Sequence, residues 1–451
     1  MPLPFYTAAD RQEGYLGKHT ISDLQQMQSL PLAAKIQMTK RRIREWVDHY
    51  GTDGVYISYS GGKDSSVLMD IARKMFPEIT AVYVDTSLEY PEVREFVKLH
   101  ADVEVLKPKM NFREAIEKYG YPFISKEVAD CVYGARKYVA KLVQKEKGMG
   151  DGGKIPYPRC MADLAGVDVR ADKGNLAYQG LLRGEISSTD IKAPTRYLIL
   201  QGKYPHKERG KATSEYSRMY SKEKYRFFLE APFEISAQCC YAMKKAPLHS
   251  YARRTGKVPM TAQMASESRL RTTKWLQNGC NGFHMKSPVS NPMSFWTEQD
   301  VLEYIYYYNI PIPSVYGEVT AECMCGDTGN AQGQADVLDL GIFDAGKPVY
   351  GTTGCSRTGC VFCGFGIHLE KSPNRWETAE RLSNPTIIDY MLRGGGFDDT
   401  GLWKPDSMGL GFWFVIEWIN IHGGLHIVMP HREKYLELYQ TAETAQYLEK
   451  K

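Results

Sequence analysis

VYISYSGGKDSSVLMDIARKMF, residues 55–76, is the stretch from which the fold can be read. VYISYS (Val55 to Ser60) is a short apolar run of the kind that forms a buried strand, and SSVLMDIARKMF spaces its apolar residues at helical period. Between them lies SGGKDSS, Ser60 to Ser66. Gly61 and Gly62 let the backbone turn tightly and approach an oxyanion with no Cβ in the way. The first amides of the following helix then point at the anion, aided by the helix dipole. Lys63 adds a positive charge, Asp64 follows it, and Ser60 and Ser65 offer hydroxyl donors. The carboxyl end of a parallel strand is where ligands bind in open α/β sheets. The spacing GxxxxGK[ST] is absent, so an engine that cuts the outermost phosphate is not expected.

Working outward, ITAVYVDT reads as a second strand and PEVREFVKLH as a helix with proline in its first turn. VEVLKP reads as a third strand. Strand, helix, strand, helix, strand at this spacing predicts an α/β fold, a doubly wound parallel sheet with helices on both faces. A helix is predicted over Leu32–Tyr50, with KRRIR on its polar side, and the residues before it read as a short helix and an arm. The α/β character returns at KVPMTAQMA, a predicted strand. WTEQDVLEYIYYYNI follows as an amphipathic helix whose first turn carries Glu298 and Asp300, suited to the positive end of the dipole. The expected organisation is an N-terminal arm (1–31), a nucleotide-binding domain in two parts (32–133 and 231–315), a basic insertion (134–230), and a cysteine-rich module with C-terminal helices (316–451).

The 451 residues are enough for two or three domains, and 43% hydrophobic with 24% charged residues is ordinary for a globular protein. The start, MPLPFYTAADRQEG, lacks a basic run followed by an apolar one, and no window reaches about 18 consecutive apolar residues, so a cytoplasmic protein with no membrane partner is expected. Charge is uneven. Arg136 to Arg226 carries 20 Lys plus Arg against 10 Asp plus Glu, a balance of +10 in a chain whose net charge is +4. Such a segment, which also holds the glycine-rich GMGDGGK, is either a solvated lysine-rich insertion or a surface for a polyanion such as nucleic acid.

SGGKDS resembles the PP-loop signature of the adenine nucleotide alpha hydrolase superfamily, which includes ATP pyrophosphatases, tRNA thiolation enzymes, and the phosphoadenylylsulfate (PAPS) and adenylylsulfate reductases. AVYVDTSLEYPEVREFV is similar to the reductase branch, with Ser87 where that branch has glycine. The resemblance implies that Asp85 and Thr86 lie at the nucleotide side of the second strand. TAQMASESRLR resembles the family's ESxxR segment, which makes Glu267, Arg269 and Arg271 candidates to face the anionic end of the substrate. Arginine suits bidentate phosphate or sulfate contacts. NPMSFWTEQDVLEYI also matches that branch, and the likeness runs from about Leu32 to Tyr390, leaving out the basic insertion.

Ten cysteines are clustered rather than spread. Cys239 and Cys240 are adjacent, and Cys355, Cys360 and Cys363 fall close together in GCSRTGCVFCGFG. A thiolate set of this kind suits a metal centre, and on chemistry alone zinc or iron would satisfy it. The resemblance implies iron: in adenylylsulfate reductases a CC pair and a later CxxC hold a four-iron four-sulfur cluster, and CCYAMKKAPL matches the CC segment. The family pattern implies Cys239, Cys240, Cys360 and Cys363, with Cys355 able to replace one of the adjacent pair. Cys131, Cys160 and Cys280 read as structural, and Cys323 and Cys325 form a CxC with no assigned role.

The reductases use a nucleophilic cysteine in an ECGLH-like tail, whereas the 88 residues after Cys363 hold none. The expected enzyme is therefore an ATP pyrophosphatase coupled to sulfur transfer. Lys63 and the loop amides would steady the leaving pyrophosphate, with Mg2+ near Asp64 or Asp85. This reading resembles the cluster-bearing enzymes that act in DNA phosphorothioation and RNA thiolation, and the resemblance implies that the acceptor can be nucleic acid, for whose backbone the 134–230 insertion offers a place. A cysteine desulfurase or a thioredoxin-like reductant would supply sulfur or electrons. Two other readings are a sulfonucleotide reductase with a relocated thiol, Cys355 or Cys280, and a module that binds nucleotide or nucleic acid without turnover.

Overall fold

The computed structural model describes residues 19–146, 195–208, 211–323 and 348–449. GMGDGGK and about half of the basic stretch lie outside those residues, as do Cys160, Cys325 and the side chain of Cys323. The chain divides into two units. One is formed by residues up to Lys107 with Pro247–Thr358, the other by Pro108–Ala246 with Gly359–Lys451.

The first unit is built on six strands: β1 (Val55–Tyr59), β2 (Ala81–Val84), β3 (Val103–Leu106), β4 (Val258–Met260), β5 (Asn281–Gly282) and β6 (Val289–Ser290). Their order is β3-β2-β1-β4-β6-β5. Every neighbouring pair is parallel except β5 with β6. The helices that matter for the site are α1 (Leu32–Tyr50), α2 (Lys63–Met75), α3 (Pro91–Lys98), α4 (Arg269–Asn278) and α5 (Glu298–Tyr308). β1 to β4 and α1, α2, α3 and α5 fall where the sequence predicts them, β5, β6 and α4 were not predicted, and the fold is the expected α/β arrangement around a parallel sheet.

β1 and β2 are covered on both faces, which is why they are almost wholly buried and mostly apolar rather than alternating, whereas the edge strand β3 carries Glu104 and an exposed Val105. Val55, Ile57 and Tyr59 pack into one core with Trp46, Val67, Leu68, Ile71 and Trp296. Tyr56 and Val82 point the other way, against Tyr251. The chain runs from β1 outward to β2 and β3, then returns with β4 on the opposite side of β1. The carboxyl ends of β1 and β4 thus flank a topological switch point, where open sheets take their ligands.

A buried ion pair fixes the start of α5. Lys35 Nζ on α1 lies 2.7 Å from both Asp300 carboxylate oxygens. Asp300 also closes a capping box with Thr297, accepting from its backbone N–H at 2.6 Å. Glu298, two residues away in that first turn, is held in place as a result.

In the second unit, Phe123–Ile124 pairs in parallel with Gly364–Phe365. The helix Phe412–Gly423 is buried nearly all round, and its one carboxylate, Glu417, is matched by both arms of Arg432 at 2.7 and 2.6 Å. Among the described residues no helix is long and apolar enough to cross a membrane.

Candidate active site

Ser60 leaves β1 at the switch point. Gly61 has φ +73°, and a Cβ there would lie 2.8 Å from methyl carbons of both Val93 and Val97 on α3. Only glycine fits. The serines brace the turn from inside: Ser65 Oγ donates to the Gly62 carbonyl at 2.9 Å and accepts from the Ser60 N–H at 3.2 Å. Ser66 Oγ donates to the same carbonyl at 3.1 Å. These hydroxyls shape the loop before they offer anything to a ligand.

Lys63 opens α2 and is almost wholly buried. Its Nζ donates to the Ser356 carbonyl at 2.9 Å and pairs with Glu298 at 3.1 Å, with Asp64 Oδ1 at 3.9 Å. Burial pulls its pKa down, but Asp64, Tyr316 and Glu298 outweigh that and carry it above the usual lysine value. The ammonium is therefore fixed at the loop and permanently charged at neutral pH. Tyr316 OH accepts from the Lys63 backbone N–H at 3.3 Å and bonds to Thr358 Oγ1 at 2.6 Å. Glu298, Tyr316, Ser356 and Thr358 were not among the residues predicted for the site. Glu298 had a visible signal, an acid at a helix start, but that signal pointed to the dipole and not to Lys63.

Asp64 keeps about a third of its side chain in solvent, yet its Oδ1 is covered and has no hydrogen-bond partner. Burial pushes its pKa up, with Lys63 acting against that. A covered carboxylate oxygen beside a phosphate-type loop fits a divalent cation. Of the predicted arginines, Arg271 is the one brought near: it is ion-paired with Glu267, and its charge is felt by Asp64. Arg269 sits exposed at the first position of α4. Arg357, which the sequence reading did not single out, reaches Glu267 Oε1 at 3.6 Å.

Asp85 and Thr86 lie just beyond the carboxyl end of β2, the strand beside β1. Asp85 is matched by Arg94 at 3.1 and 3.2 Å and caps the Ser87 N–H at 3.0 Å, so its charge is already answered. Thr86 donates to Glu89 at 2.7 Å. Ser87 takes φ 60°, the left-handed region, which accounts physically for glycine in the pattern it resembles.

The predicted thiols separate by unit. Cys239 and Cys240 form a helical turn that runs into a π-helical segment, Tyr241–Lys245. Cys363 N–H donates to the Cys360 carbonyl at 3.0 Å, closing a turn. All four belong to the second unit, and their charges reach one another. Cys239 is pushed up by its hydrogen bond with Cys240, by burial, and by the charges of Cys240, Cys363 and Cys360. Cys240 is drawn down by that same bond and, against the opposing effect of burial, by Lys126, Lys244 and Lys245. Four thiols ringed by cations are the right donor chemistry for a thiolate-held cluster. Among the described residues, however, no three His, Cys, Asp or Glu side chains stand together as a metal-ion group. Cys355 belongs to the first unit and feels Lys63 and Glu92. Burial, the largest influence, pushes it to about 11. Cys280 is buried in the first unit and accepts from Ser294 Oγ at 3.2 Å, and Cys131 is buried in the second.

The model of the Phosphoadenosine phosphosulfate reductase domain matches residues 54–149 and 195–364. An uncharacterized protein of Methanocaldococcus jannaschii is 43% identical over 70 residues, which are 14% of this chain and 17% of that protein. The chain thus matches only about a sixth of that relative's length. A crystal structure of phosphoadenylyl-sulfate (PAPS) reductase from Candida auris, in a phosphate complex, aligns with 61% of this chain and 82% of its own, at 12% identity and a TM-score of 0.29.

Proposed function

The chain belongs to the phosphoadenosine phosphosulfate reductase domain family, a sulfonucleotide reductase-like family, and on that premise we propose that it is an ATP pyrophosphatase coupled to sulfur transfer. An acceptor oxygen attacks the α-phosphorus of ATP, the bond to the β-phosphate oxygen breaks, and pyrophosphate leaves. A sulfur nucleophile then displaces AMP from the adenylated acceptor. The loop amides and Lys63 hold the departing pyrophosphate, whose developing charge meets a cation already fixed in place. Asp64 Oδ1 would hold Mg2+, which supplies charge neutralisation to the phosphates when bound.

The observation that carries this reading over a reductase is the state of Cys355. A reductase needs a thiolate, and burial pushes the Cys355 thiol up to about 11, which keeps it protonated near neutral pH. Cys239, Cys240, Cys360 and Cys363 are proposed to hold a [4Fe-4S] cluster, which would supply a site for sulfur or structural support. The acceptor is proposed to be nucleic acid, supported by the +10 balance of Arg136–Arg226.

One observation favours the reductase as a second reading: Cys355 shares the unit of the loop and lies within reach of Lys63's charge. Its thiolate would attack the sulfur of a sulfated nucleotide, breaking the S–O bond to phosphate and leaving a thiosulfonate on the protein. A thioredoxin-type dithiol would then release sulfite and become a disulfide.

Anaerobically purified protein decides between them. Iron and acid-labile sulfide are measured first, then products from ATP and from adenosine 5′-phosphosulfate, with and without nucleic acid. AMP and pyrophosphate from ATP support the proposal. Sulfite release that rises about tenfold per pH unit from 7 towards 10, and is lost in Cys355→Ser, replaces it with the reductase.

A further inference from the structure

One stripe of α2, Ser66, Met69, Asp70, Arg73 and Lys74, lines a cavity of about 360 Å³ together with Phe96, His100, Ile310 and Pro311. Apart from Ser66, none of these residues belongs to the site described above. Met69 and Phe96 are buried at its base, whereas Lys74 stands half exposed at its mouth. The charges there are already matched: Lys74 pairs with Asp70 at 2.8 Å, and Arg73 with Asp102 at 2.6 Å. A strongly charged ligand therefore gains little. His100 Nδ1 donates to the Phe96 carbonyl at 3.0 Å, which leaves Nε2 as the acceptor of the neutral ring. An apolar recess with an acceptor on its wall suits an aromatic ring that ends in a hydroxyl.

Rings of that kind stand beside it in the same unit. α5 ends in Tyr306, Tyr307 and Tyr308, all exposed, Tyr307 most at 63%. The chain then turns at Asn309, with φ 48°, into the Ile310 and Pro311 of the recess. Lys74 Nζ lies over Tyr308, 5.3 Å from the ring centre. Tyr306 and Tyr307 lean on buried Tyr350, with ring centres 5.5 and 6.3 Å from it. Gln299 holds the Tyr350 backbone from both sides, at 2.8 and 3.0 Å, so this ledge is firmly placed. The charge of Glu303 reaches Tyr350, so the ledge is acidic where the recess bears Arg73 and Lys74.

We propose that this surface joins two copies of the chain about a twofold axis, the Tyr307 ring of each copy seated in the α2 recess of the other. A twofold contact needs a projection and a matching recess on one surface, and here only the turn at Asn309 separates them. The seated ring packs on Met69 and Phe96, its hydroxyl donates to His100 Nε2, and Glu303 meets the cations of the recess. Tyrosine is enriched among the residues that anchor interfaces in this way. A nucleic-acid strand stacked on the same tyrosines would meet Glu303 and Asp70, so the charges favour a protein surface. Three half-exposed tyrosines bring about 300 Å² per copy. That is below the roughly 800 Å² per partner of a standard interface, so the dimer is a weak one.

The test is sedimentation equilibrium on the full chain, from about 1 to about 200 µM, where wild type is expected to dimerise with a Kd on the order of 10 µM. Tyr307→Ala removes the projection and His100→Trp fills the recess. Each abolishes both seats of a symmetric dimer and is expected to weaken it by about 100-fold. In an equimolar mixture of the two variants the heterodimer keeps one intact seat, and association is expected to recover by about 10-fold. Tyr307→Phe, which loses only the hydroxyl, is expected to weaken the dimer by less than Tyr307→Ala does. Wild type that stays monomeric to about 200 µM overturns the proposal. So does a dimer that either variant leaves intact, because the interface then lies elsewhere. A mixture that recovers nothing also overturns it, since the losses then come from damage to each fold and not from a shared seat.

Discussion

The loop of the first unit satisfies its charges from within, whereas the thiols of the second unit burden one another. Lys63 is answered by Glu298, Asp64 and a carbonyl, and the serines tie the turn to itself. An anion entering there meets amides and a cation already in position, which is the preorganisation that makes electrostatic catalysis cheap. The cysteines present the opposite case. Burial pushes Cys363 up, the charge of Cys240 adds to that, and only Phe365, Arg375 and Lys126 pull the other way. On the proposed reading, four thiols in such surroundings would gain most from a cation that takes their protons, and metal binding would be coupled to local ordering. One site is built by the backbone; the other, on the proposed reading, would be completed by the cluster it holds.

The contrast is sharpest if each region can be disabled alone. Cys363→Ser is expected to remove nearly all iron and acid-labile sulfide from anaerobically purified protein, while nucleotide affinity at the loop shifts by less than about twofold, as for independent sites. Cys355→Ser is expected to keep the iron. Iron lost equally in both variants would place Cys355 among the ligands. In the other direction, Lys63→Ala is expected to lower AMP and pyrophosphate formation by about 100- to 1,000-fold with iron content unchanged. A fall in iron alongside activity would mean the two regions do not act independently.

The two regions also differ in how legible they were. The sheet of the first unit could be read because β1, α2, β2, α3 and β3 follow one another closely, each with its own periodicity, and because SGGKDS carries its chemistry locally. What holds Lys63 could not be read. Ser356 lies 293 residues away and Tyr316 lies 253 away, and nothing local in either segment advertises the contact. Arg269 and Arg271 looked equivalent in the sequence, and only the start and phase of α4 separate an exposed side chain from one paired with Glu267. Cys355 sits five residues from Cys360, and the boundary between the units falls between them, after Thr358, which spacing along a chain does not register.

A preorganised loop should resent a single methyl group. Gly61→Ala would place a Cβ against Val93 and Val97 at a φ that alanine avoids, and is expected to cost about 1–3 kcal/mol of stability in denaturant titration. Loss of nucleotide affinity should accompany it. The iron content of the second unit serves as the control. A fully stable Gly61→Ala protein would show that α3 can draw back, and that the loop is less rigid than its contacts indicate.

The smallest expected effect compares the strain that each unit keeps near its site. Ser87 in the first unit has φ 60° and Ile124 in the second has φ 68°, next to the strand that follows Cys363. Ile124 is fully buried, so glycine there would lose more packing than it relieves in strain. Ser87 is exposed, and its one described contact uses the backbone N–H, donated to Asp85, which glycine retains. Left-handed backbone costs a residue with a Cβ about 1–2 kcal/mol. Glycine's extra freedom in the unfolded chain returns about 0.4–1 kcal/mol of that. Ser87→Gly should therefore stabilise the protein by about 0.5 kcal/mol, a rise of about 1–2 °C in melting temperature. Ser87→Ala, which keeps the Cβ and loses the hydroxyl, should leave it unchanged. If glycine instead lowers the melting temperature, the serine hydroxyl is supporting the edge of the sheet beside Asp85 and Thr86, and the departure from glycine at this position is functional rather than tolerated.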